Sequence, residues 1–214
     1  MLLYGKKIAF LGDSITRGVW LDNSENSYVM RIKKSRQWAE VLNYSVPGSR
    51  IGEYIGEDPR NIGPSFVKRY LDMDEKADIV IVFGGTNDFG IGNAPLGNSQ
   101  DDTPETFYGA VNLLMKGLKN KYPKAIIIFA TPLHRVTENI PNQFSGAVLA
   151  DYVNVIRKQA EKYGIHVLDL YSCVSLQPSE EYYKKLFRED GVHPNDLGHN
   201  VIAEEVLRFL EELN

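Results

Sequence analysis

Five short apolar runs recur along this chain with almost no polar alternation: Ile8 to Leu11, Tyr44 to Val46, Ile79 to Phe83, Ile126 to Ala130 and Ile165 to Leu170. A strand with one wet face alternates; runs like these belong to strands covered on both faces. Helical patterns lie between several of them. Thr103-Pro104-Glu105 supplies an N-cap and an early proline, and Val111, Leu114, Met115 and Leu118 then share one face until Tyr122-Pro123. A second helix is expected from Ala147 to Tyr163, closed by Gly164, and a last one after Pro194 carries Val201, Ile202, Val206, Phe209 and Leu210. Asp22 to Lys34 is polar and charged, and reads as a loop before a helix containing Trp38 and Leu42. Strands alternating with helices indicate right-handed parallel crossovers. The expected fold is therefore α/β, a three-layer α/β/α sandwich on a five-stranded parallel sheet. No repeat, low-complexity tract or linker interrupts the pattern, so residues 1–214 read as one domain, long enough to bury a core of its own.

Composition narrows the partners. Hydrophobic residues make up 43% and charged residues 24%, with a formal net charge of −4, so there is no broad attraction to nucleic acid or to an anionic membrane. The single cysteine, Cys173, leaves no intrachain disulfide and no cysteine-rich metal cluster, and reads as a small core residue. Lys6-Lys7 breaks the only apolar stretch near the start, no signal-peptide pattern follows, and no run is long enough to span a bilayer. The expected location is cytoplasmic.

In an open parallel sheet, ligands meet the edge formed by the carboxyl ends of the strands. Gly12-Asp13-Ser14 follows the first run, Pro47-Gly48-Ser49 the second, Gly84-Gly85-Thr86-Asn87-Asp88 the third and Thr131-Pro132 the fourth; Asp190-Gly191-Val192-His193-Pro194 stands farther beyond the fifth. Taken singly, Ser14 is a cap or turn residue, Gly48 a turn glycine and Asn87 a turn residue. Gathered on one edge, a serine, a histidine with a nearby acid and an amide are the components of acyl transfer.

These blocks, in this order, resemble the SGNH hydrolases, also called GDSL-type esterases and lipases, serine hydrolases with a flavodoxin-like sheet. The matches are Gly12-Asp13-Ser14, Gly48, Gly85-Thr86-Asn87-Asp88 and Asp190-Gly191-Val192-His193-Pro194, and together they span the length of the chain. The G-x-S-x-G elbow of α/β-hydrolases is absent around Ser14. The resemblance implies Ser14 as nucleophile, His193 as general base and Asp190 as the acid that orients the imidazole. It also implies an oxyanion hole made by the backbone N–H groups of Ser14 and Gly48 and the side-chain amide of Asn87. Two rival acids are weaker candidates: Asp13, whose side chain is expected to diverge from that of Ser14, and Asp88, expected to brace its own loop.

The remaining histidines carry less. His134 reads as a solvated loop residue more readily than a pocket residue, His166 as structural within the fifth strand, and His199 shows no metal-ligand spacing. Gly84-Gly85 lacks a P-loop Lys-Ser/Thr and no GxGxxG opens a helix, so no cofactor or metal is implied and water is the only cosubstrate. Substrate choice is expected to lie in Val19-Trp20-Leu21, in Phe89 to Asp102, which is a rim, a lid or a subunit contact in a homo-oligomer, and in Arg135 to Phe144. None is strongly apolar, which favours short acyl groups, acetyl above all, on a small molecule or carbohydrate. Three other activities stay open: lysophospholipid or thioester cleavage, acyl transfer to an alcohol by the same triad, and carbohydrate binding by a vestigial site.

Overall fold

A computed structural model describes residues 4–35, 40–176 and 180–213. The strands are β1 (Lys7–Gly12), β2 (Glu40–Ser45), β3 (Ile79–Phe83), β4 (Ile126–Ala130) and β5 (His166–Leu168). The helices are α1 (Ser14–Arg17), α2 (Tyr28–Ser35), α3 (Phe66–Arg69), α4 (Thr86–Ile91), α5 (Phe107–Lys121), α6 (Leu149–Tyr163), α7 (Glu180–Leu186) and α8 (Asp196–Glu212). All five strands are parallel, in the order β2-β1-β3-β4-β5.

Alternate residues of these strands enter two separate cores. Ala9, Leu11, Val80, Val82, Ile127 and Phe129 pack under α5 and α6, whereas Ile8, Phe10, Ile79, Ile81 and Ile128 pack under α2 and α8. Neither face of β1, β3 or β4 meets water, which is why their sequences show no polar alternation. Each fully buried Leu, Ile or Phe contributes ~1.5–3 kcal/mol by the usual transfer scale.

Element boundaries differ from the sequence expectations where long-range contacts decide. The helix expected to open at Thr103 begins at Phe107, because the Thr106 hydroxyl caps it by accepting the Gly109 N–H at 3.1 Å. Pro104 lies outside it, its carbonyl accepting the Glu53 N–H at 2.9 Å. The stretch read as a loop over Asp22 to Lys34 holds all but the last residue of α2, which buries Tyr28, Val29 and Ile32 on one face. Leu42 is not helical: it belongs to the edge strand β2, beside Ala9. Trp38 lies outside the described residues. The fifth strand is shorter than its apolar run, and His166 within it is exposed.

His199 joins α8 to α2. Its ring is buried and stacked on Tyr28, and its Nδ1 accepts the Tyr28 N–H at 3.2 Å, so the ring proton sits on Nε2, which has no partner among the described residues. Burial, reinforced by the Arg31 charge, pushes its pKa down to about 4. The folded chain then binds a proton later than the unfolded chain does on acidification, and stability is lost as pH falls from about 6.5 towards 4. Buried acids at the sheet edge, pushed up, titrate with the opposite sign, so the comparison with a variant isolates the ring. Urea unfolding of the wild type and of His199→Asn, which keeps an acceptor, should show the wild type losing on the order of 2–3 kcal/mol relative to the variant between neutral pH and the ring's shifted pKa. A pH-independent difference would mean that the ring titrates normally.

Candidate active site

β1 ends in a turn that only glycine allows. A Cβ on Gly12 would stand 2.0 Å from the Thr16 hydroxyl, so the chain folds back on itself within one residue of the strand. Asp13 caps the short helix that follows, its Oδ1 accepting the Ile15 N–H at 2.9 Å, and Ser14 becomes the first residue of α1, with only 7% of its surface exposed. From there Ser14 Oγ is 2.8 Å from His193 Nε2, and His193 Nδ1 is 2.5 Å from Asp190 Oδ2. Residues 179 positions apart are thereby joined into one hydrogen-bonded chain.

The Asp190–His193 pair is built locally. Asp190 Oδ1 accepts the N–H groups of Val192 and His193, both at 2.9 Å, while Arg188 N–H donates to the His193 carbonyl at 2.9 Å and closes the turn. Partial burial works against the Asp190 charge, but the hydrogen bonds from His193 and Val192 outweigh it and hold the carboxyl below its ordinary range. The turn is fastened on both sides, by the Arg188 side chain donating to the Trp20 carbonyl and by Val136 N–H donating to the Gly191 carbonyl at 3.2 Å. Trp20 itself is exposed and holds a left-handed backbone, φ 70°.

Gly48 also has a left-handed backbone, φ 74°, and a Cβ there would approach Ile62 to 2.8 Å. Any side chain would thus be strained and crowded at once. The Asn87 amide nitrogen donates to the Ser49 carbonyl at 3.0 Å and lies 3.3 Å from Asp13 Oδ2. Those two contacts tie together the segments bearing Ser14, Gly48 and Asn87.

The two rival acids do other work. Asp13 faces Ile15 and Asn87, not His193, and burial pushes its carboxyl up to about 7 against the Ile15 hydrogen bond. Asp88 braces a neighbouring segment more than its own: its oxygens accept the Ile51 and Gly52 N–H groups at 2.9 and 2.8 Å, and burial lifts it to about 6. His134 is buried, contrary to expectation, with Nδ1 2.7 Å from Glu138 and Nε2 donating to the Tyr171 carbonyl at 2.8 Å. Cys173 is half-buried against the core under α8, and its thiol is pushed up by burial and then by Glu205. Among the described residues no three His, Cys, Asp or Glu side chains stand together as a metal site.

One residue of the site carries no sequence signal. Arg69, buried beneath the edge, donates to the Pro64 carbonyl at 3.0 Å, to the Gly12 carbonyl at 3.0 Å, to the Ser49 hydroxyl at 2.8 Å and also to the Tyr44 carbonyl. It sits at the end of a four-residue helix, and nothing in its neighbours announces those partners.

Known proteins agree with this architecture. The model of the GDSL-like lipase/acylhydrolase family matches residues 10–201. A Lactobacillus plantarum protein of solved structure is 30% identical, with a TM-score of 0.82 over 98% of both chains. The lipase/acylhydrolase from Enterococcus faecalis is 22% identical, with a TM-score of 0.66 over 97% of this chain and 96% of that one, and shares the fold. An α/β hydrolase enzyme from the metagenome of Lake Arreo, Spain, is 23% identical, with a TM-score of 0.67 over 99% and 97% of the two chains. No curated protein matches the chain. With the flavodoxin-like sheet of the SGNH hydrolases, and a family model that covers all but its two ends, the chain belongs to the GDSL-like lipase/acylhydrolase family.

Proposed function

We propose that this chain is a serine esterase that removes short acyl groups, acetyl above all, from a small molecule or carbohydrate. One observation carries the mechanism: the unbroken path from Ser14 Oγ through both nitrogens of His193 to Asp190. As Ser14 Oγ attacks the ester carbonyl, its proton passes to His193 Nε2, and Asp190 stabilises the imidazolium through Nδ1. The carbonyl oxygen gains negative charge and is met by the N–H groups of Ser14 and Gly48 and by Asn87 Nδ2. One Asn87 proton is committed to Ser49; the other, held only by the longer contact to Asp13, is the one offered to the oxyanion. Collapse expels the alcohol, which takes the proton back from Nε2. Water, activated by the same imidazole, then releases the acid and restores Ser14.

The preference for short acyl groups rests on the walls of the neighbouring cavity. Arg60, Arg135, Thr137, Asn142 and Gln143 are interspersed there with Phe89, Ile140 and Phe144. A long alkyl chain laid there would have to strip water from those polar groups without replacing it, which disfavours the cavity as an acyl channel and leaves it to another part of the ester.

A fluorophosphonate should label Ser14 and fail to label Ser14→Ala, whose kcat on an activated acetyl ester should fall on the order of 10⁶-fold. Absence of labelling in the folded wild type would remove the nucleophile from the scheme. Across p-nitrophenyl esters from acetyl to palmitoyl, kcat/KM should peak at acetyl; a maximum at medium or long chains would replace the short-chain assignment. Asn87→Ala should lower kcat by ~10²–10³ if its amide meets the oxyanion. For Asp190→Asn, which leaves the turn able to form but the imidazole in the wrong tautomer, steady-state kinetics should show a loss of ~10⁴ in kcat.

A further inference from the structure

Beside the triad lies a cavity of about 500 Å³, between residues 54–60, the end of α4 and the loop 135–144. That is the size of a small-molecule site, ~300–1,000 Å³. Ser14, Asp190 and His193 do not line it, yet its walls are fastened to their supports. Arg135 Nη1 donates to the carbonyl and the hydroxyl of Thr86, both at 3.1 Å, one residue before Asn87. The next residue, Val136, holds the Gly191 carbonyl within the Asp190–His193 turn.

Among the described residues two guanidinium groups line the cavity and no carboxylate does. Arg60 lies over the Tyr54 ring and donates to the Ile91 carbonyl at 2.6 Å. Its ion-pair partner among the described residues, Asp58, is 3.4 Å away and is held more closely by Arg50, at 2.6 Å. Arg135 stands over the Phe89 ring at 5.4 Å, has no carboxylate within ion-pair distance among the described residues, and keeps a buried Nε without a hydrogen-bond partner. Burial pulls its pKa below the ordinary arginine value, with Asp190 the opposing charge. A desolvated cation whose charge is unmatched gains from an anion placed against it more than an exposed one does. The chain as a whole carries a charge of −4, so its general field disfavours anions and the attraction is local to these two side chains.

We propose that this cavity is a subsite for an anionic oxyacid group, a carboxylate or a phosphate monoester, carried by the ester that Ser14 hydrolyses. The assignment rests on the esterase mechanism above and adds the chemical class of its substrate. The Nη groups of the two arginines that remain uncommitted can donate charge-assisted hydrogen bonds to either group, while Tyr54 and Phe144 supply apolar wall for the carbon skeleton.

The test uses the full chain and acetyl esters of ω-hydroxy carboxylic acids, with short and longer methylene spacers, each compared with its neutral primary amide. The wild type should favour the carboxylate in kcat/KM by about tenfold or more at low salt for at least one spacer, as a charge-assisted hydrogen bond would give. In Arg135→Gln, and in Arg60→Gln with Arg135→Gln, the carboxylate-to-amide ratio should fall to about one, whereas Arg135→Lys should retain part of it. The ratio is taken within each protein, so a variant that merely packs poorly loses rate on both esters without changing it. Acetyl esters of ω-hydroxyalkyl phosphates form the second arm: a preference for either anion over the amide supports the subsite, and the stronger of the two identifies the group. Normal hydrolysis of the amides with no preference for either anion overturns the subsite and leaves the esterase intact. A preference that survives loss of both arginines also overturns it. No hydrolysis of any ester, with Ser14 unlabelled, overturns the esterase reading and the subsite with it.

Discussion

The Arg69 guanidinium is the contact on which the geometry of the sheet edge depends. Where β1 and β2 end, carbonyls lie at a dry edge of the sheet: that of Gly12 accepts the Val46 N–H at 3.0 Å, and a guanidinium supplies further donors. Arg69 donates to the carbonyls of Gly12 and Tyr44 and holds the Ser49 hydroxyl as well. A single rigid fork thus sets the distance between the turn that presents Ser14 and the turn that presents Gly48. Buried Asp13 supplies part of the compensating charge, and each shifts the other: burial lowers the Arg69 pKa to about 10, with Asp13 opposing the fall. Removing the guanidinium would take a donor from the Gly12 and Tyr44 carbonyls and the Ser49 hydroxyl and an opposing charge from buried Asp13, so its loss would be felt at both turns at once.

Asp88 does the same for the third strand. It follows Asn87 in sequence, but its carboxylate reaches across to the N–H groups of Ile51 and Gly52, just beyond the Gly48 turn. Asn87 itself reaches the Ser49 carbonyl. Each donor proposed for the oxyanion is thereby held by a group from a different strand end, which keeps the donors in place before charge develops and avoids reorganisation at the moment of reaction.

How much of this the sequence reveals depends on the range of the contacts. The strands are legible because burial on both faces removes polar residues from within them, and the Asp190–His193 pair is legible because a three-residue spacing closes a turn by itself. The start of α5 is less so: Thr103-Pro104 resembles an opening, and only the Pro104 contact with Glu53 shows that the cap belongs to Thr106. In α2 the buried Tyr28, Val29 and Ile32 are outnumbered by lysines, arginine and serine, so the local composition reads as loop although one face is apolar. His134 looks solvated in a polar segment, and becomes buried only through Glu138 and the distant Tyr171. Arg69 and Arg135 are one charged residue among many until the fold supplies their partners.

Two carboxylates lie near Ser14, and their surroundings separate their roles. Asp13 is fully enclosed, and burial lifts it to about 7, so at neutral pH it carries only part of a charge. Asp190 is half-exposed, receives three hydrogen bonds from its own turn and is held below the ordinary carboxylate range. An imidazole that must take a proton needs a partner already ionised, and a neutral acid would offer it a hydrogen bond without the charge. In the proposed mechanism Asp190 therefore serves His193, and Asp13 is left to cap α1 and steady Asn87. Solvation at Asp190 weakens each contact it makes, but it also lessens the burial penalty that makes Asp13 reluctant to ionise, leaving it small enough for the hydrogen bonds of the turn to outweigh. The acid that faces the base is the one that water helps to keep charged.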